Sequence, residues 1–264
     1  MSFSKVGIIG TGIIGESLVK VLLRSGISKE SLFIAEKRQE RRDEIINEYG
    51  VSEIKDHNLL DAILLAVKPQ DFRVTLASIS ISSVEATLIV SFAAGIKIKS
   101  IEEKLGASSR VIRVMPNTAM AMGRGMSAMS LGSAATSADQ DWVEGFLSKA
   151  GEVIVIDEKL QDAVTATSGS GPAYYFAFTE AVAGAARRLG MSPEDAISLA
   201  TQTFIGAALM VEKSGKDLRT LREDVTSPNG TTAAALKSFA DSGLEELVYQ
   251  AMKAAHDRSI ELSS

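Results

Sequence analysis

The stretch Val6-Gly7-Ile8-Ile9-Gly10-Thr11-Gly12-Ile13-Ile14-Gly15, near the start of the chain, decides the fold class. Its first four residues predict a buried strand, and its last six follow the pattern G-x-G-x-x-G. An amphipathic stretch then continues to Ser25, and Gly26 is typical of the residue that follows a helix. A strand, a glycine turn and a helix in this order are typical of the first unit of a dinucleotide-binding sheet.

Each glycine of this turn has a separate physical role. Gly10 allows the tight turn, Gly12 lets a pyrophosphate approach the backbone, and Gly15 lets the helix pack closely on the strand. Free N–H groups at the start of the helix would then bind the phosphates. A glycine turn without a ligand is the less favoured interpretation, because both the strand and the helix are present in the sequence.

The rest of the first half repeats this alternation. Short apolar runs at residues 32–35, 62–67, 87–92, 111–115 and 152–157 predict strands, and helical patterns lie between them. Such strands predict a mostly parallel sheet that is covered on both faces. From Leu160 onward we find only helical periodicity, at residues 172–189, 193–213, 231–240 and 244–262. The sequence therefore predicts an α/β Rossmann-like domain at residues 1–158 and an all-helical domain at residues 159–264.

Composition narrows the classes of function. The chain has 264 residues, of which 45% are hydrophobic and 23% charged, with a formal net charge of −5 and no cysteine. This composition supports a packed core, excludes disulfides and thiolate chemistry, and argues against nucleic acid as a partner. The longest apolar run, Phe204 to Val211, is too short to span a membrane. We expect a cytoplasmic protein with its native start, because no basic leader precedes a long apolar stretch.

Metal binding finds no support in the sequence. His57 and His256 are the two histidines of the chain, and they lie far apart in sequence. Neither belongs to a recognisable ligand spacing. We therefore expect no metal site.

The residues after the second predicted strand give opposing signals about the ligand. Glu36 lies about twenty positions after the glycine turn, where an acid accepts hydrogen bonds from a ribose 2′-hydroxyl and favours NAD. Lys37 and Arg38 follow at once and could hold the 2′-phosphate of NADP. These cations, with Arg41 and Arg42, fit a solvated helix start equally well. The residues alone leave these alternatives open.

Three later segments follow predicted strands and contain small residues or proline. They are Ala66-Val67-Lys68-Pro69, Ala93-Ala94-Gly95 and Met115-Pro116-Asn117-Thr118. Ligands of parallel sheets lie outside the carboxyl ends of the strands, so all three segments point to the same crevice as the glycine turn. Ordinary strand-to-helix turns remain the alternative interpretation.

The helical half contains two unusual stretches. The first is Ser168-Gly169-Ser170-Gly171-Pro172-Ala173-Tyr174, and the second is Ser227-Pro228-Asn229-Gly230-Thr231-Thr232. The second stretch offers N–H groups at a helix start together with hydroxyls and no negative charge, which suits a substrate carboxylate. A simple N-capping turn is the alternative. The many small and apolar residues of this half favour self-association, with tight internal packing as the alternative.

Taken together and in this order, these motifs resemble the pyrroline-5-carboxylate reductase family, from about residue 5 to residue 260. The segments at 168–174 and 226–232 are the specific ones. The resemblance implies NAD(P)H-dependent reduction of the small molecule 1-pyrroline-5-carboxylate to proline, the last step of proline biosynthesis. It also implies a helical domain that forms a homodimer with a partner subunit, with an oligomer of dimers as a further option.

The resemblance also implies which residues bind the ligands. NADP is the expected cofactor, with NAD as the alternative. The matching positions expected to line the cofactor are Ile9, Gly10, Thr11, Gly12, Ile13, Ile14, Asn58, Ala66, Val67, Lys68, Pro69, Ala93, Ala94 and Gly95. The spacing after the glycine turn adds Glu36, Lys37 and Arg38 to the expected cofactor residues. The substrate residues implied by the family are Ser227, Gly230, Thr231 and Thr232, in a loop that reaches the nicotinamide of a neighbouring chain.

The sequence departs from the family at two places near this loop. Most members have glycine where this chain has Asn229, and asparagine tolerates a positive φ better than other non-glycine residues. Residues 214–218 also lack the proline that usually precedes the loop.

The chemistry accounts for the scarcity of histidine. A cyclic imine carries its own proton on nitrogen, so the enzyme mainly has to position the reactants. We expect backbone N–H groups at 230–232 and Ser227 to bind the carboxylate, and the catalytic Thr232 hydroxyl to contact the ring nitrogen. One alternative is a β-hydroxyacid dehydrogenase that uses Lys159, Lys213 or Lys216. The other is a dinucleotide-binding scaffold without catalysis.

Overall fold

The computed structural model describes residues 3–262, and within them eight strands form one sheet. The strands are β1 (Val6–Ile9), β2 (Leu32–Ala35), β3 (Ser52–Glu53), β4 (Ala62–Leu65), β5 (Leu88–Ser91), β6 (Arg110–Met115), β7 (Gly125–Leu131) and β8 (Gly151–Val155). Their order is β3-β2-β1-β4-β5-β6-β7-β8. All neighbouring pairs are parallel except β6 with β7, which confirms the predicted mostly parallel α/β sheet.

Helices cover the sheet and then form the second half of the chain. The described α-helices are α1 (Ile13–Arg24), α2 (Gln39–Tyr49), α3 (Pro69–Ser78), α4 (Ile98–Leu105), α5 (Ser137–Leu147), α6 (Gln161–Val164), α7 (Gly171–Arg188), α8 (Pro193–Ser214), α9 (Leu218–Asp224), α10 (Thr231–Asp241) and α11 (Leu244–Leu262). Between residues 3 and 262, no helix combines the length and the apolar character needed to cross a membrane.

The sheet is covered on both faces, as continuous apolar strands require. Residues of α1, α2 and α5 cover one face together with the inward residues of β1 and β2. Phe72 and Leu76 of α3, with Ile98 and Ile101 of α4, cover the other face. The central strands β1, β4 and β5 are buried along their whole length.

The sequence did not predict β7, the strand that reverses direction. Its residues, Gly-Met-Ser-Ala-Met-Ser-Leu, include no β-branched or aromatic side chain, so their intrinsic preference for a strand is weak. β7 forms because it pairs with β6 on one side and with β8 on the other. Neighbours that are distant in sequence therefore determine this strand.

The described residues divide into two compact units at a different position from the predicted boundary at residue 158. The first unit contains the residues up to Ser170 and those from Ala254 onward, and the second is Gly171–Lys253. α6 belongs with the sheet because buried Gln161 donates from Nε2 to the oxygens of Ala128 (3.2 Å) and Ser130 (3.0 Å) in β7. The division into domains at 1–158 and 159–264 stays a prediction.

The second unit exposes large apolar side chains. Tyr175 stacks on Phe204 and Phe178 lies against Phe239, but Tyr175, Phe178 and Phe239 remain exposed, so these aromatic contacts lie at the surface. Many other apolar residues of this unit face outward, among them Phe176, Leu199, Met210, Leu247 and Tyr249. A surface of this kind is typical of an interface between protein chains.

Candidate active site

The glycine turn has the geometry that a bound pyrophosphate needs. Gly10 has a φ of +92°, which favours glycine. A Cβ added to Gly15 would lie 1.9 Å from the carbonyl oxygen of Gly10, so only glycine lets α1 approach β1 so closely. A Cβ on Gly12 would meet nothing within 4 Å, and no side chain caps the start of α1 there. The turn therefore leaves open space in front of free helix N–H groups, and a dinucleotide fits this cradle.

Glu36 lies beside this turn, at the end of β2. Its Oε2 accepts hydrogen bonds from the N (3.0 Å) and Oγ1 (3.1 Å) of Thr11, and its Oε1 accepts from the N (3.1 Å) and Nε (3.0 Å) of Arg38. Although burial raises the pKa of Glu36, the hydrogen bonds from Arg38 and Thr11 lower this pKa to about 2. The structure therefore brings an ionised carboxylate to the position where an acid would meet the adenosine ribose.

The cations that follow Glu36 all lie near carboxylates. Arg38 contacts Glu36, and Lys37 Nζ lies 2.9 Å from Asp71 Oδ1. The further pairs are Arg41 with Glu16 and with Glu44, and Arg42 with Glu53. Lys37 and Arg38 are largely exposed. Their side chains can therefore turn towards a phosphate with little loss of packing.

The loops after β4 and β5 lie at the same edge of the sheet as the glycine turn. A Cβ added to Gly10 would lie 2.9 Å from the carbonyl oxygen of Ala66, so these two backbones are in close contact. Lys68 precedes α3 without capping it, and Pro69 is the first residue of that helix. Gly95 has a φ of +77°. The structure thus brings residues 9–15, 36–38, 66–69 and 93–95 together at the carboxyl ends of the strands.

Asn58 is not brought to this edge. It lies in a short 3₁₀ turn, His57–Leu59, before β4 begins, so it belongs to the amino-terminal edge of the sheet. Its Oδ1 accepts from the N and Oγ of Ser82, each at 2.6 Å. The role of Asn58 at the cofactor stays a prediction, and the structure places this residue at the edge opposite the glycine turn. Glu53 ends β3 at the carboxyl edge, and its Oε1 lies 3.2 Å from Nη1 of Arg42.

The loop after β6 has a structural role. Asn117 donates from Nδ2 to the carbonyl oxygen of Ser168 (3.1 Å), and its Oδ1 accepts from the N of Met126 (3.2 Å). A Cβ on Gly169 would lie 2.4 Å from Met115 Cε. The Ser-Gly-Ser-Gly stretch therefore packs closely on the end of β6, where residues Thr165–Gly169 form a π-helical turn.

The loop before α10 offers free polar groups. Gly230 precedes α10, and no side chain caps this helix start. Within residues 3–262, the hydroxyls of Ser227, Thr231 and Thr232 have no hydrogen-bond partner. Asn229 has a φ of +58°, as its replacement of glycine led us to expect, and is the one described non-glycine residue with a positive φ. Uncapped N–H groups beside free hydroxyls can bind an anion such as a carboxylate.

Comparison with protein families gives two matches along the chain. Residues 158–262 match the model described as pyrroline-5-carboxylate reductase dimerisation. Residues 5–95 match the model described as NADP oxidoreductase, coenzyme F420-dependent. The second match covers the glycine turn and the loops after β2, β4 and β5.

Named relatives and solved structures agree with these matches. A pyrroline-5-carboxylate reductase of Corynebacterium melassecola is 38% identical over 97% of this chain and 98% of its own length. The Arabidopsis thaliana enzyme of the same name is 38% identical over 98% and 95%. A solved pyrroline-5-carboxylate reductase from Coxiella burnetii covers both chains fully, with 31% identity and a TM-score of 0.89. The Plasmodium falciparum pyrroline carboxylate reductase with NADP bound also covers both fully, with 30% identity and a TM-score of 0.84. This chain belongs to the pyrroline-5-carboxylate reductase family.

Proposed function

We propose that this chain reduces 1-pyrroline-5-carboxylate to proline with NADPH as the hydride donor, as the last step of proline biosynthesis. Membership of the family, at 38% identity over nearly the whole chain, carries this proposal. The hydride adds to the imine carbon while the ring nitrogen keeps its proton, so no histidine or cysteine has to act as an acid. Positioning of the two reactants then supplies most of the rate enhancement.

Residues at the carboxyl edge of the sheet bind the cofactor in this proposal. The backbone N–H groups of Gly12 and of the α1 start bind the pyrophosphate, because the N–H groups of Gly10 and Thr11 already donate to Ala35 and Glu36. Glu36, Lys37 and Arg38 surround the adenosine ribose, and Arg38 and Lys37 turn to its 2′-phosphate. Since β4 and β5 lie on the other side of β1 from β2, residues 66–69 and 93–95 line the nicotinamide half. The NADP bound to the Plasmodium falciparum relative supports this choice of cofactor, with NADH as the weaker alternative.

The loop before α10 binds the substrate. The N–H groups at Gly230–Thr232 and the Ser227 hydroxyl bind the substrate carboxylate, and the Thr232 hydroxyl oxygen accepts a hydrogen bond from the protonated ring nitrogen. The N–H groups of Thr231 and Thr232 and the hydroxyls of this loop have no other partner among the described residues, which supports this assignment. The Gly230 N–H donates to the Ser227 carbonyl oxygen at 3.0 Å and would have to release it to reach the carboxylate. Residues 1–158 then serve as the cofactor domain and residues 159–264 as the substrate and dimerisation domain.

We propose further that the loop of one chain completes the site of its neighbour in a homodimer. The match of residues 158–262 to the dimerisation model supports this arrangement, as does the exposed apolar surface of α7, α8 and α11. Dimers assemble further into a larger oligomer, and the enzyme works in the cytoplasm.

The rival dehydrogenase mechanism finds less support. It needs a lysine facing the nicotinamide, but Lys159 Nζ lies 2.8 Å from Asp157 and Lys216 Nζ lies 2.6 Å from Asp224. Lys213 is the third candidate, and it lies exposed near the end of α8.

The test is the rate of NADPH oxidation with 1-pyrroline-5-carboxylate compared with a panel of 3-keto acids. We expect turnover of the imine and negligible turnover of the keto acids. Turnover of a keto acid alone would favour the dehydrogenase. Tight NADPH binding without turnover of any imine would favour a scaffold.

A further inference from the structure

Arg113 is buried at the centre of a partly buried ionic network that the proposed chemistry does not use. It belongs to β6, and the residue is only 2% exposed. Its Nη1 donates to Glu158 Oε1 at 3.2 Å, and its Nη2 lies 3.9 Å from Asp162 Oδ1. A buried guanidinium has to be paired, so these two carboxylates are fixed near β6.

Glu158 joins this network to the end of the Ala93–Gly95 loop. The same Oε1 that accepts from Arg113 also accepts from the backbone N of Ile98, at 2.7 Å. Ile98 is the first residue of α4, the helix that follows the loop. The carboxylate therefore accepts from one otherwise free N–H group at the start of α4. Because it also accepts from Arg113, it links the residues that follow the Ala93–Gly95 loop to β6.

Asp162 joins the network to the last turns of α11. Its Oδ1 accepts from the Ser259 hydroxyl at 2.7 Å, and Ser259 is buried. A Cβ added to Gly95 would lie 3.2 Å from the carbonyl oxygen of Ser259 and 3.3 Å from Leu262 Cβ. The end of α11 therefore lies directly against Gly95, which belongs to the segment between β5 and α4.

We propose that Arg113, Asp162 and Ser259 are positioning residues, which hold the end of α11 against Gly95 and so fix the loop that faces the nicotinamide half of the cofactor. This inference rests on the proposed function, because that function assigns residues 93–95 to the cofactor. None of the three residues touches the reactants in this proposal. They act through the backbone of Gly95, which has a positive φ and lies so close to the end of α11 that a Cβ there would be tightly packed.

The geometry also indicates how the network can be weakened without unfolding the sheet. Arg113 Nη2 is buried and has no hydrogen-bond partner among the described residues. Without the Ser259 hydroxyl, the Asp162 carboxylate is free to close the 3.9 Å gap to that nitrogen. The buried charges then stay paired, while α11 loses its bond to Asp162.

The test compares Ser259→Ala with Ser109→Ala in the full-length protein. Ser109 is also buried and donates to the carbonyl oxygen of Gly106 at 2.6 Å, but it precedes β6 at the opposite edge of the sheet. Calorimetric titration gives the Kd of NADP⁺ and of 2′,5′-ADP, which lacks the nicotinamide half. Steady-state rates give kcat and KM for the imine, and thermal melting gives Tm.

For Ser259→Ala we expect the Kd of NADP⁺ to rise and kcat to fall, each about fivefold to tenfold relative to Ser109→Ala, as a displaced contact predicts. The Kd of 2′,5′-ADP and the Tm should equal those of the control. Equal NADP⁺ affinity and kcat in both variants would overturn the proposal. An equal rise in the Kd of NADP⁺ and of 2′,5′-ADP would also overturn it, because it would indicate a general loss of structure in the cofactor site.

Asp162→Asn serves as the second variant if Ser259→Ala does not fold. Its amide oxygen can still accept from Ser259, but it no longer offers a charge to Arg113. We expect the Kd of NADP⁺ to rise less than in Ser259→Ala, with the Kd of 2′,5′-ADP unchanged. If the ratio of these two Kd values equals that of the wild type, the positioning role of the network is overturned. If the wild-type protein binds NADP⁺ but reduces no imine, only the proposed function is contradicted. The titrations with NADP⁺ and 2′,5′-ADP would still test the role of the network.

Discussion

The two compact units of this chain differ in how much of their apolar surface is buried within a single chain. In the first unit, β1, β4 and β5 are buried and helices cover both faces of the sheet. In the second unit, side chains such as Phe176 and Leu247 are 60% and 67% exposed. The first unit can therefore fold around its own core, whereas the second has the surface of a protein that associates.

The candidate site shows the same contrast in its polar groups. Glu36 accepts hydrogen bonds from Thr11 and Arg38 within the first unit. The hydroxyls of Ser227, Thr231 and Thr232 bond no other described residue. The proposed cofactor half is thus preorganised in one chain, while the proposed substrate loop has polar groups without a partner among the described residues. We infer that one site combines the cofactor half of one subunit with the loop of another.

The largest expected effect is on assembly. Phe176 is exposed on the apolar surface proposed as the dimer interface, where Phe176→Glu would bury two charges in a symmetric dimer, so we expect the dimer Kd to rise about a thousandfold. Val74→Glu is the matched control, because Val74 is 75% exposed on α3 of the first unit. Sedimentation velocity should show monomers for the first variant and the wild-type mass for the second. A wild-type mass for both would remove the contrast between the units.

The next effect separates two glycines of the same turn. Gly15→Ala places a Cβ against the carbonyl oxygen of Gly10, so we expect stability to fall by about 3 kcal/mol. Gly12→Ala meets no protein atom within 4 Å, so its stability should match the wild type. Its methyl group would nevertheless block the pyrophosphate, and the Kd of NADP⁺ should rise about a hundredfold. Tight NADP⁺ binding by Gly12→Ala would place the cofactor elsewhere.

The substrate loop gives a smaller effect that spares the cofactor. Thr232→Ala removes the hydroxyl proposed to contact the ring nitrogen, so kcat/KM for the imine should fall at least about tenfold. Thr232→Ser retains the hydroxyl and should recover most of the activity. Titration should give the wild-type Kd of NADP⁺ for both variants. An unchanged kcat/KM for Thr232→Ala would remove this residue from the site.

The preference for NADPH over NADH tests the proposed role of Glu36 and Arg38 beside the adenosine ribose. Arg38→Ala removes the exposed cation, so the preference for NADPH over NADH should fall about fivefold, the size of one partly screened charge contact. Glu36→Gln removes a negative charge near the same position, and the preference should rise by about the same factor. The measurement is the ratio of kcat/KM for the two cofactors. A ratio that neither variant changes would show that other residues recognise the 2′-phosphate.

The smallest effect concerns the turn before α10. Asn229→Gly should leave activity within about twofold of wild type and unfolding stability nearly unchanged, because both residues accept a positive φ. Asn229→Ala should lower the free energy of unfolding by about 1 kcal/mol. Denaturant unfolding measures the free energy of unfolding of both variants, and steady-state rates measure their activity. Equal stability of the glycine and alanine variants would show that the positive φ is not maintained in solution.

Much of the first unit could be predicted because its signals are local. The glycine turn is adjacent in sequence to the strand and helix that it joins, and the apolar strands are continuous. β7 could not be predicted, since its weak propensity is overcome only by pairing with β6 and β8.

Within the sheet, the edge at which a candidate site residue lies was predictable where the residue follows a strand directly. Residues 66–69 and 93–95 follow β4 and β5, so their edge of the sheet was certain once the strands were assigned. Asn58 precedes β4 and lies at the other edge, which a family pattern alone did not reveal. The contact of Ser259 with Asp162 joins residues far apart in sequence, and no local pattern indicates it.

The most direct test of a site shared between subunits is the activity of mixed dimers. Gly12→Ala and Thr232→Ala chains would be co-expressed with different affinity tags, and dimers with both tags purified. A shared site leaves one of the two sites free of both substitutions, so imine reduction with NADPH should recover to about half of the wild-type rate. A rate no higher than the mean of the two parent variants would contradict the account, because each site would then draw both residues from one chain.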